Sequence, residues 1–79
     1  MYEYCVEKEI LYNSQLGRYT SYGISVFLVE EKFREKLDYF SDVFLDEKKA
    51  SDFVLLCNEL ELEPVHLAEV IEDTLLSGK

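Results

Sequence analysis

The chain has 79 residues, 17 of them acidic and 8 basic, for a formal charge of −9, and 48% are hydrophobic. That much Leu, Val, Phe and Tyr excludes a disordered tail, because burying those side chains offsets the entropy of ordering the chain. So short a chain supports one core and hence a single domain over 1–79, and its longest uncharged stretch, Tyr19 to Val29, is too short to cross a bilayer.

From Tyr2 to Tyr12 the even positions read Tyr2, Tyr4, Val6, Lys8, Ile10 and Tyr12, against Glu3, Cys5, Glu7, Glu9 and Leu11 at odd ones. Period-two alternation with one apolar face predicts a strand, marred only by Lys8. Asn13 to Gly17 supplies turn chemistry. A second strand is expected over Tyr19 to Glu30, apolar at Tyr22, Ile24, Val26 and Leu28, with Phe27 and Val29 giving its end a second covered face. Gly23 inside it marks a bulge or a close backbone approach.

Residues 31–45 admit two readings. Val29, Phe33, Leu37 and Phe40 have helical spacing, while Leu37, Tyr39 and Val43 can alternate in a strand rich in aromatic and β-branched residues. A lone hairpin is marginal, which favours a turn at Glu31–Arg34 and a third strand over about Glu35–Phe44. Asp46 then caps a helix whose apolar stripe is Ala50, Phe53, Val54, Cys57 and Leu60. After Glu61-Leu62-Glu63, Pro64 opens a second helix with Leu67, Val70, Ile71 and Leu75 inward, ending near Ser77-Gly78. The expected fold is α+β: a three-stranded antiparallel meander over about 2–44, then an αα-hairpin over about 46–77 packed on one sheet face, βββαα in order.

The stretches Tyr19-Thr20-Ser21-Tyr22-Gly23-Ile24, Leu56-Cys57-Asn58, Pro64-Val65-His66-Leu67 and Val70-Ile71-Glu72-Asp73 resemble a family of small uncharacterised bacterial proteins, a domain of unknown function found mainly in Gram-positive anaerobes. The resemblance implies no activity and supplies no catalytic residues. It does favour the third strand, because members look turn-like where this chain has Glu31–Arg34. One departure is Glu63, where the family usually has a small capping residue such as Ser before the proline. Glutamate is a poorer side-chain cap, although its charge suits a helix start.

His66 is the only histidine and the only ordinary pH switch. With Glu69, Asp73 and Cys57 it forms a weak candidate metal set, against the plainer reading of a partly buried histidine that packs or caps its helix. Cys5 and Cys57 read as two reduced thiols. No secretory signal opens the sequence, so a cytoplasmic protein is expected. Gly17, Gly23 and Gly78 form no phosphate-binding loop, and no nucleophile has a recognisable partner, so neither an enzyme nor a cofactor is expected.

From Ala50 to Lys79 there are seven acids and one base, a net of −6. That surface would repel phosphates, which excludes direct binding to nucleic acid or an anionic membrane. All six tyrosines precede residue 40, so the expected contact surface comprises Tyr2, Tyr4, Tyr12, Tyr19 and Tyr22 of the sheet with Glu69, Glu72 and Asp73 of the last helix. Tyrosine suits interfaces because it buries area at low entropy cost, although it also fills sheet cores. An exposed edge strand over Tyr2–Tyr12 offers a route to a homodimer. The sequence thus supports a protein-interaction or regulatory module with a basic partner favoured; a metal sensor and a structural subunit of a larger assembly are the alternatives.

Overall fold

The computed structural model describes residues 1–77. Three strands, β1 (Tyr2–Asn13), β2 (Gly17–Val29) and β3 (Arg34–Phe44), are followed by α1 (Glu47–Glu59), a 3-10 turn (Pro64–His66) and α2 (Leu67–Ser77). The sheet is an antiparallel meander in the order β1-β2-β3, and the helices pack on one face of it, so the α+β order βββαα holds. Residues 34–44 are strand rather than helix. Gly78, where the sequence pattern ends the last helix, lies outside the described residues.

Local chemistry explains each junction. The Asn13 side-chain oxygen accepts from the Gln15 and Leu16 amides, and Gly17 follows at φ +75, closing the hairpin with an Asx turn and a left-handed residue. Asp46 caps α1 by accepting from the Lys48 amide. At the other end of α1, Glu61 donates to the Asn58 carbonyl and Leu62 to the Cys57 carbonyl, while Glu61 itself sits at φ +52. This is a Schellman ending with glutamate where glycine is usual. Glu63 precedes the 3-10 turn without any side-chain capping bond.

The core lies between the sheet and the helices: Tyr4, Tyr22, Ile24, Val26 and Phe44 below, Ala50, Phe53, Cys57, Leu67 and Ile71 above. Two positions expected to face inward do not, since Leu60 is 68% and Leu75 44% exposed. Leu60 is the C-cap residue, where the helix has already begun to turn away. Strands of 12 and 13 residues outrun helices of 13 and 11, because a strand rises about twice as far per residue. The molecule is therefore elongated, 44 × 27 × 20 Å, and Ile10 and Tyr12 near the hairpin tip remain 60% and 76% exposed.

β3 does not alternate simply. Its register against β2 shifts between Val26 and Phe27 and again between Tyr22 and Ile24. The second irregularity contains Asp42 at φ +57. These shifts send Phe40 and Phe44 to the core and leave Leu37 42% exposed, in place of the even alternation of Leu37, Tyr39 and Val43.

Candidate functional site

The sheet face away from the helices is built around small residues. Ser21, Gly23 and Ser25 occupy alternate positions of the central strand and are buried, the two serines fully. They form a trough across which side chains of the two outer strands meet. Glu3 of β1 takes two bonds from the Arg34 guanidinium of β3, at 2.7 and 3.0 Å. Glu7 pairs with Lys36 at 2.7 Å. Glu9 accepts from the Ser41 hydroxyl at 2.8 Å and from the Asp42 amide at 2.9 Å. Asp42 in turn accepts from Tyr19 at 2.9 Å, and Ser21 Oγ lies 2.6 Å from its other oxygen. The Arg34 guanidinium also stacks 3.6 Å over Phe27, which is the second cover expected for the end of β2.

The electrostatics follow from these contacts. Bonds from Lys36 and Ser25 hold the Glu7 carboxyl below its usual range. Partial burial pushes Glu9 up, but bonding from Tyr39, the Asp42 amide and Ser41 outweighs it and leaves Glu9 low. Burial, then its bond to Glu9, pushes the Tyr39 phenol up to about 12. Each cation in the network faces a carboxylate, Glu9 and Asp42 are held by neutral donors, and among the described residues no buried side-chain polar atom lacks a partner. It is a tie between strands rather than a vacant site.

A second set of contacts fastens the sheet to the helices. The Asn58 side-chain amide bonds both main-chain groups of Tyr4, accepting from its N–H at 2.9 Å and donating to its carbonyl at 3.1 Å. The Tyr4 hydroxyl donates to the Leu62 carbonyl at 2.6 Å. Burial, with Cys57 close by, pushes that phenol up to about 12.

A concave surface available to a ligand lies elsewhere. A groove of about 580 Å³ runs between the end of β3, α1 and α2. Phe44 and Phe53 floor it with their rings 5.5 Å apart, and Leu45, Leu56 and Leu75 line it while 72%, 53% and 44% exposed. Asp46, Lys49 and Asp52 also line it. From Asp46 to Ser77 the chain carries nine acids and two lysines, a net of −7, and Lys48 is paired with Asp52 at 3.0 Å.

The expected site residues fare unequally. Tyr4 and Tyr22 are 2% and 9% exposed and belong to the core, so they leave the contact surface: their strand positions point under the helices. Tyr19 is bonded to Asp42. Tyr2 and Tyr12 are exposed, as are Glu69, Glu72 and Asp73. His66 is exposed rather than partly buried, because it sits in the 3-10 turn ahead of α2. Cys57 is buried in α1, its thiol pushed up to about 11 by burial alone. Among the described residues no three His, Cys, Asp or Glu side chains are grouped to hold a metal, and the weak candidates are not brought together: Cys57 lies in the core, whereas His66, Glu69 and Asp73 are exposed. Also among those residues, no helix is long and apolar enough to cross a membrane.

Sequence reasoning missed the groove, because Leu45 falls between strand and cap, Leu56 lies off the apolar stripe of its helix, and Leu75 is expected to face inward. No curated protein and no solved structure matches the chain. A family model does match residues 1–77, and the chain belongs to that family, a family of unknown function (DUF6514).

Proposed function

We propose that this protein is a non-enzymatic interaction module of the cytoplasm, and that the groove between β3, α1 and α2 receives an apolar and basic helical segment of a protein partner. The groove carries the reading. Leu45, Leu56 and Leu75 are 72%, 53% and 44% exposed, so a partner that covered them would recover about half of the roughly 1.5–3 kcal/mol that full burial of each side chain provides. Helix-in-groove recognition lays the apolar face of an amphipathic helix into a hydrophobic groove of this kind. The net charge of −7 over Asp46–Ser77 selects a basic partner and raises its rate of encounter, and the same charge turns phosphate backbones away. Both cysteines are free, which suits a reducing compartment.

Two amphipathic probe peptides of equal length, one of leucine and lysine and one of leucine and glutamate, test the reading by fluorescence anisotropy. The basic peptide should bind, more weakly as salt is raised, and Leu56→Asp should abolish binding. Equal or absent binding of the two peptides, or binding that survives Leu56→Asp, overturns it.

A further inference from the structure

The two outer edges of the sheet differ. β3 is broken by two register shifts, a device that blunts an edge against foreign strands. β1 keeps one unbroken register against β2 from Tyr2 to Asn13 and contains no proline. The Val29 amide bonds the Met1 carbonyl, so odd residues of β1 face β2 and even residues turn their main chain outward. Asn58 occupies that outer side at Tyr4. Beyond it, the outward main chain of Val6, Lys8, Ile10 and Tyr12 faces no strand.

We infer that this stretch of β1 pairs antiparallel with the same stretch of a second copy of the chain, about a two-fold axis at Ile10, to form a continuous six-stranded sheet. Side-chain charge and the number of main-chain bonds together select the register, since centring on Leu11 opposes no like charges but supplies only about four bonds. Centring on Lys8 sets two lysines opposite each other, and centring on Glu9 sets two carboxylates at the closest kind of pair; like charges so placed are destabilising. Centring on Ile10 sets Ile10 against Ile10, Lys8 against Tyr12 and Glu9 against Leu11. Lys8, the usual guard of an edge, then lies beside an aromatic ring and is accommodated. This register supplies about six main-chain hydrogen bonds. It ends where Ser14 of one copy meets Val6 of the other, short of the position held by Asn58. The exposed faces of Ile10 and Tyr12 become mutual contacts, extending a core that is small for a chain of this length.

The groove and this edge lie on different elements, so the inference stands apart from the proposed function. Sedimentation velocity of the full chain over a range of concentrations should show monomer passing to dimer. Ile10→Lys, at an exposed position, should keep the circular dichroism of the wild type, match its melting at concentrations where both are monomeric, and weaken dimerisation at least tenfold. Ile10→Cys should cross-link to itself under mild oxidation far faster than Lys8→Cys, because opposed residues of a hydrogen-bonded pair lie about 5.5 Å apart, within disulfide reach. A monomer at every concentration overturns the inference, as does a dimer that Ile10→Lys leaves intact or equal cross-linking of the two cysteine variants.

Discussion

Gly23 lacks a side chain because Tyr39 occupies the space: a Cβ there would meet the Tyr39 hydroxyl at 2.6 Å and the Phe40 carbonyl oxygen at 2.8 Å. The ring can swing aside, but the main-chain carbonyl cannot. Gly23→Ala should therefore cost about 1–3 kcal/mol in urea unfolding, and Tyr39→Ala in the same chain should restore only part of it. At Asn58 two hydrogen bonds are at stake, so Asn58→Ala should lower stability by about 1–3 kcal/mol in the same assay. The phenols report on their surroundings as well. Tyr4 and Tyr39 are both raised to about 12, so their contribution is complete below the ordinary value near 10 and is lost as pH climbs through 12. An absorbance titration should show Tyr4 and Tyr39 ionising late, with Tyr19 also raised by its bond to Asp42, and Tyr4→Phe and Tyr39→Phe should each remove one late step. Sequence alone marks Gly23 as a close approach, but it does not identify Tyr39 as the neighbour, because that depends on how far β3 has slipped against β2.

At the scale of elements, the strands, the Asp46 cap and the two helices were legible, since alternation, helical spacing and capping chemistry are local properties. The order of events at the end of α1 was not. Glu61 takes the left-handed position of a Schellman ending although it pays a steric penalty that glycine avoids. Glu61→Gly should stabilise the protein by about 0.5–1 kcal/mol in thermal or urea unfolding, aided by removal of a negative charge from the negative end of the helix dipole. The outer strands carry a second prediction. Glu7 and Glu9 are held below the ordinary glutamate value of 4.5, so the stability they confer is full above that value and falls as pH drops below it toward their folded values. Urea unfolding at a series of acid pH values should show this loss, and Glu9→Gln should flatten it. The ties from β1 to β3 escape a reading of spacing because their partners lie 29 to 33 residues apart and meet only over a central strand of small residues.

For the whole molecule, the division between an acidic helical half and an aromatic sheet half was visible in the sequence, but the tyrosines do not form one surface. Tyr4 and Tyr22 went to the core because helices cover their end of the sheet, and Tyr12 stayed exposed because the hairpin extends past them. Raising salt should leave the melting temperature of this protein within a few degrees, since its ion pairs are exposed and exposed pairs contribute about 1 kcal/mol or less each; a large fall would show that the ties across the trough are the main support of the sheet. The Asn58 clamp also has a consequence in time. Tyr4 and Asn58 are 54 positions apart, so on the ribosome all three strands emerge before the residue that closes the outer side of β1 at Tyr4. A chain ended before α1 would therefore leave the first edge of its sheet open along its whole length, and only α1 closes it at Tyr4.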